Sequence, residues 1–347
     1  MRNRSDSGAG VSLADVARRA GVSKATASKA LNGRPGVSAE SRGKVRSAVR
    51  ELGYEPPAVR AVGLRQVAFV ADNMTTTYTL EVMGGSMRAA MHAGVALTAQ
   101  FTPGDGDYAG PVPLEPEWFD LVHGAGFLGV LAVTSRLDAA ELAKIDELGL
   151  PIVVVDPVDQ LPATMVSISA TNWNGGVEAT KHLVDLGHRR IAFVRGPHAS
   201  MPSEERFQGY LSALQMSGID PDPRLVAGDD FTHAAGFAVG TELLQLPANR
   251  RPTAFFAATD VSALGVHEAA RQLGLRVPDD VSVVGFDDTF LAELSTPQLT
   301  TVRQPLEDMG SAALRMVLAL ASGQPTTPGT IRLATELVVR GSTQPPG

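Results

Sequence analysis

The sequence predicts a small all-α head joined to a larger α/β body with parallel sheets. Three observations predict it. Residues 13–52 place apolar side chains at helical spacing, broken by glycine-containing turns. From Gln66 onward, short apolar runs alternate with helix-like segments in two successive series. Charge divides at the same boundary: residues 1–65 hold 13 Lys+Arg and 5 Asp+Glu, and the remainder holds 17 and 32. A basic head on an acidic body suits a polyanionic partner for the head alone, or else a solvated basic surface.

In the head, Leu13, Val16, Ala17 and Ala20 fall at i, i+3, i+4 and i+7 and make one apolar stripe. Ser12 caps that helix, Asp15 suits its first turn and Gly21 ends it. Ser23 caps a second helix over 24–31, closed by Asn32 and Gly33. Ser38 caps a third over 39–52, with Val45, Val49 and Leu52 facing inward and Gly53 as its stop. The linker GYEPPAVRAVGLR follows.

In the body, the runs QVAFVAD (66–72), VALTAQF (95–101), FLGVLAVT (127–134) and PIVVVD (151–156) read as buried strands. DAAELAKIDELG (138–149) reads as a helix between two of them. The second series is RIAFVRG (190–196), RLVAGD (224–229), TAFFAATD (253–260) and DVSVVGFDD (280–288). Its helices are expected near 174–187, 203–218, 233–246 and 261–274. The proline- and glycine-rich stretch from Thr102 to Pro116 reads as an irregular loop.

Composition narrows the function. There is no cysteine, which excludes disulfides and thiolate metal sites. The longest strongly apolar run, Phe127 to Val133, is too short to cross a bilayer. The N-terminus has no apolar h-region, so a cytoplasmic protein without membrane contact is expected. No nucleophile elbow, phosphate-binding loop or zinc-protease helix is present. The reading therefore assigns no catalytic residue, no metal and no cofactor.

The first two helices are joined by Ala20-Gly21-Val22-Ser23, the kind of short turn a helix-turn-helix needs. In the second helix Ala27, Ala30 and Leu31 pack inward. Lys24, Ala25, Ser28 and Lys29 are left outward, on a face small enough to enter a major groove. Thr26, Ser28 and Asn32 suit phosphate contacts that fix register. An ordinary three-helix bundle with a solvated lysine face has the same spacing.

SLADVARRAGVSKATASKALNG followed by VSAESRGKVRSAVRELGYEP resembles the head of the lactose/galactose-repressor (LacI/GalR) family of bacterial transcription regulators. The resemblance continues in HLVDLGHRRIAFVRGP (182–197), in the spacing of Arg206 to Gly209-Tyr210, in DVSVVGFDD (280–288) and in LTTVRQPLEDMG (299–310). It covers nearly the whole chain. It implies a helix-turn-helix head (1–57), a shortened hinge (58–65) and a two-subdomain, periplasmic-binding-protein-like body (66–347). The first subdomain would take about 66–170 and 304–328, the second about 171–303 and 329–347. By the same resemblance Lys24, Ala25 and Lys29 read bases, while Thr26, Ser28 and Asn32 match phosphate-contacting positions. The linker departs from the family's pattern: Gly63 falls where relatives carry the leucine of Ala-Arg-x-Leu, a minor-groove wedge.

Ligands of such bodies bind at the carboxyl ends of the strands. Asp72, Asn73, Arg206, Asp260 and Asp287 lie at expected strand ends or helix starts. An aspartate there caps a following helix as readily as it holds a ligand. The resemblance implies ligand contacts at Asn73, Arg206, Phe231, Asp260, Asp287 and Gln304. Tyr78 and Trp173 are further candidates to line the pocket. The function expected is a ligand-responsive homodimeric repressor, with operator DNA and a small effector, a sugar or sugar derivative, as partners. A nucleobase is the alternative effector. A periplasmic sugar-binding protein would share the body but would need a signal peptide and lack the basic head.

Overall fold

A computed structural model describes residues 13–31, 38–52, 65–101 and 114–347. Asn32, the linker over 58–64 and most of the expected loop after Phe101 lie outside these residues. The chain divides into two compact units, 1–64 and 65–347.

The first unit holds α1 (Leu13–Ala20), α2 (Lys24–Leu31) and α3 (Ala39–Leu52). Val16, Ala17, Ala20, Ala27, Val45 and Ala48 form its buried core. Gly21 takes φ 66°, a left-handed turn that only glycine enters freely. The Ser23 hydroxyl then accepts the Thr26 amide at 3.0 Å and starts α2.

The second unit begins with β1 (Gln66–Ala71), α4 (Thr77–Ala93), β2 (Ala96–Phe101), α5 (Pro116–Gly124), β3 (Val130–Val133), α6 (Ala139–Leu148), β4 (Ile152–Val155) and β5 (Val166–Ala170). The chain then crosses into α7 (Asn172–Asp185), β6 (Ile191–Val194), α8 (Met201–Met216), β7 (Val226–Ala227), α9 (His233–Leu244), β8 (Ala254–Ala257), α10 (Asp260–Gln272), β9 (Ser282–Asp287), α11 (Phe290–Leu294) and β10 (Thr300–Arg303). It returns for α12 (Leu306–Ala321) and β11 (Gly329–Leu333), then crosses a third time into β12 (Glu336–Val338).

Two sheets result, ordered β11-β5-β4-β3-β1-β2 and β12-β10-β9-β8-β6-β7. The first is parallel throughout. The second is parallel except for β12, which runs antiparallel to β10. Central strands such as β3 and β8 are buried along their whole length, as helices on both faces require. The expected boundary gave 329–347 to the second subdomain. β11 instead pairs along its length with β5, so the third crossing falls after Leu333. Thr171 and Thr335 zip two of the crossings together, hydroxyl to hydroxyl at 2.9 Å.

Helices pack against each other through reciprocal glycines. A Cβ on Gly176 of α7 would overlap the Arg206 carbonyl of α8, and one on Gly209 would overlap the Trp173 carbonyl. Gly85 and Gly310 do the same for α4 and α12, as do Gly236 and Gly265 for α9 and α10. Close approach at Gly176 thus fixes the height of Arg206 over the second sheet. Gly176→Ala should lower the unfolding free energy by about 1–3 kcal/mol, because the backbone it meets cannot step aside. A urea midpoint equal to the wild type would contradict this crossing.

Candidate functional site

The carboxyl ends of the strands carry unusual backbone. Thr134 after β3 (φ 48°), Asp156 after β4 (φ 46°), and Asp287 and Asp288 at the end of β9 (φ 112° and 58°) all take positive φ. Among the described residues these are the non-glycine cases. Positive φ is costly for a β-branched threonine and milder for aspartate. All four sit where the strands point toward the crossings.

Arg206 is the centre of the site and keeps only 3% of its surface exposed. Its Nε donates to Asn172 Oδ1 at 2.9 Å, and Nη1 donates to the Ala258 carbonyl at 2.6 Å. Nη1 also lies 3.6 Å from Asp287 Oδ1. The guanidinium stacks over Phe286, 3.9 Å from the ring centre, with Phe231 at 5.9 Å. Gln304 donates Nε2 to Asp287 Oδ1 at 2.7 Å. Its Oε1 is buried and has no partner. Burial pushes the Asp287 carboxyl up to about 7, against the pull of Arg206 and Gln304.

A second carboxylate joins this group from the first subdomain. Asp156 accepts the Tyr78 hydroxyl at 2.6 Å and the Ser169 hydroxyl at 2.5 Å. Asn172 Nδ2 donates to Ser169 Oγ at 3.3 Å, which links Asp156 to Arg206. Burial raises both the Asp156 carboxyl and the Tyr78 hydroxyl above their ordinary values. Asp156 was absent from the expected ligand set. Its signal was available: it ends the apolar run PIVVVD as Asp287 ends VSVVGFD.

The structure thus gathers Arg206, Asp287 and Gln304 into one group, with Phe231 beside it. It gives two other expected ligand residues local tasks. Asp260 is fully buried, and its carboxylate accepts the Thr289 amide at 2.8 Å and the Thr301 hydroxyl at 2.5 Å. Those bonds pin α11 and β10 to α10, so Asp260 supports the site from behind. Asn73 Oδ1 accepts the Thr75 amide at 2.8 Å and closes a turn after β1. Trp173 leans outward on α7, 43% exposed, and donates to Ser212 of α8 at 3.3 Å.

In the head, Lys24 and Lys29 are exposed, and Thr26 and Ser28 are half-buried. The Thr26 hydroxyl lies 2.8 Å from that of Ser23. The side chain of Ala25 lies outside the described residues, as does Asn32. Among the described residues no cluster of His, Cys, Asp or Glu could hold a metal ion. No described helix is long and apolar enough to cross a membrane.

Comparison with known proteins joins these two units. Residues 12–57 match the family described as bacterial regulatory proteins, lacI family. Residues 180–343 match the periplasmic binding protein-like domain. The HTH-type transcriptional regulator MalR of Streptomyces coelicolor is 37% identical, covering 95% of this chain and 96% of that protein. The solved complex of the transcriptional regulator CelR with cellobiose is 33% identical with a TM-score of 0.71, covering 96% of this chain and 99% of that one. The lac repressor dimer bound to operator and the anti-inducer ONPF is 28% identical with a TM-score of 0.70, covering 97% and 100%.

Asp287 gives the site a pH signature. In the fold it keeps its proton up to about 7, whereas the unfolded carboxyl loses it near its ordinary 3.8. The stability it contributes is therefore full in acid, falls as pH rises between those values, and levels off above them. Asp287→Asn removes this slope and keeps a residue tolerant of positive φ. Between about pH 5 and about pH 8 the wild type should lose more Tm than the variant. Parallel melting curves would contradict the assignment.

Proposed function

The chain belongs to the LacI family of bacterial regulatory proteins, and from that premise we propose that it is a homodimeric, cytoplasmic repressor released from or held on its operator by a small carbohydrate. It is a DNA-binding transcriptional regulator with a helix-turn-helix head. In the proposal Lys24, Ala25 and Lys29 of α2 read base edges, while Thr26, Ser28 and Asn32 fix register on phosphates. Lysine lacks the bidentate fork of arginine, so readout at Lys29 is softer than a guanidinium would give.

The observation that carries the effector reading is the unpartnered Gln304 Oε1, buried beside Asp287 and Arg206. A buried amide oxygen without a donor is costly, and a ligand hydroxyl removes that cost. The Asp287 and Asp156 carboxyls accept further hydroxyls, the guanidinium donates, and Phe231 offers an apolar wall. Vicinal hydroxyls over an apolar face are the chemistry of a sugar ring. The relative solved with cellobiose supports this class.

Support for a dimer comes from α4. Leu80, Met87 and Met91 are exposed at i, i+7 and i+11, so they share one face. Phe290 and Leu294 of α11 are exposed as well, and the Phe290 amide lies within electrostatic reach of Glu81 on α4. A second copy is the occupant proposed for this apolar surface, and the similar lac repressor was solved as a dimer. A symmetric pair would set two α2 helices on two half-sites.

The test separates the two halves of the proposal. An operator is first selected by the full-length protein from random duplexes, and effectors are found by a thermal-shift panel of mono- and disaccharides. Lys24→Ala should weaken operator binding about tenfold and leave the thermal shift intact. Arg206→Ala should still bind operator and lose the shift. Operator affinity unchanged in the first variant, or a retained shift in the second, would reject that half.

A further inference from the structure

Beyond the residues given to the effector, an ion pair among the described residues spans the two subdomains. Arg332 lies on β11, the edge of the first sheet, and Glu205 lies on α8 of the second subdomain. Their contact is two-pronged: Nη1 meets Oε2 at 2.8 Å and Nη2 meets Oε1 at 2.6 Å. Arg332 Nη1 also reaches the carbonyl of Ala170, the last residue of β5, at 3.3 Å.

The pair does not stop there. Glu205 Oε2 accepts Asn172 Nδ2 at 3.4 Å, and the same Nδ2 donates to Ser169 Oγ and the Ala170 carbonyl, each at 3.3 Å. Three acceptors on one side fix which way the amide faces. The Asn172 oxygen is thereby turned to Arg206 Nε, 2.9 Å away. Asn172 stands at the first crossing, Gln304 at the second, and Arg332 just before the third. Each crossing therefore carries a residue tied to the Arg206–Asp287 group, two of them directly.

We propose that Arg332 and Glu205 form a positioning pair that sets the angle between the subdomains and, through Asn172, the orientation of the Arg206 guanidinium. The pair is 43% and 20% exposed in its side chains, so its contribution to stability is small and its effect is geometric. Both charges also lie within electrostatic reach of Asp156. Arg332 offsets the second negative charge that Glu205 brings toward that carboxyl. The proposal rests on Arg206 as the receptor of the effector, but its test needs neither effector nor operator. It can fail while the regulatory reading stands, and the reverse.

The readouts are two. One is amide exchange at Met201, whose N–H bonds the Val158 carbonyl across the same two subdomains at 3.3 Å. The other is the Nε–H resonance of Arg206 in full-length protein labelled with 15N-arginine, identified by its loss in Arg206→Lys. Glu205→Gln and Arg332→Met should each speed Met201 exchange about fivefold. Each should also move the Arg206 signal, and the double variant should do no more than either single one. Exchange in the core strands at Val70 and Phe256 should not change. The proposal is overturned by an unmoved Met201 or Arg206, by single effects that multiply in the double variant, or by faster exchange spread equally through the core.

Discussion

A guanidinium with almost no surface left is the constraint on which the body depends. Taking the Arg206 charge out of water is costly unless hydrogen-bond acceptors and a polarisable face surround it. The chain meets that demand with groups from separate places: the Asn172 amide, the Ala258 carbonyl, the Asp287 carboxyl and the face of Phe286. Asn172 and Gln304, which holds Asp287, lie on two of the crossings. The charge therefore cannot be displaced or re-paired without moving a crossing. That ties an event at the site to the angle between the subdomains. A ligand that binds one angle better shifts the population toward it.

The backbone is shaped for the same end. Asp156 and Asp287 both leave their strands with positive φ, and so does Thr134, whose hydroxyl bonds Asp72 at the end of β1. Such conformations persist only where surrounding bonds over-determine them. Here those bonds come from Tyr78 and Ser169 on one side and Gln304 on the other. The reciprocal glycines of α7 and α8 complete the arrangement by holding Arg206 at one height above its sheet.

Much of this was legible in the sequence, and the misses have physical causes. The head's three helices match their expected spans because their caps and glycine stops are local signals, each within a few residues. The buried strands β1, β3, β4, β6, β8 and β9 announce themselves as apolar runs. β5 does not, because Ser167 and Ser169 interrupt it and Ser169 serves Asp156. α4 hides behind Gly84 and Gly85, and Gly85 is needed for contact with α12. β11 joins the first sheet by a pairing 163 residues away from Ser167 in sequence, which no local pattern encodes. Arg206 and Asp287 came from motif spacing. That spacing could not tell that Asp260 turns its carboxylate back to Thr289 and Thr301, since partners so distant in sequence leave no trace in it.

The central claim is that the site in the body and the helix-turn-helix head share one equilibrium. The direct measurement is the effector's Kd, by calorimetry on the full-length protein, without operator and with operator at saturation. Coupling between two such sites makes the two values differ by about 5- to 150-fold, and operator affinity must change by the same factor when effector saturates. Equal values with and without operator would show that the two units bind independently and would contradict the account.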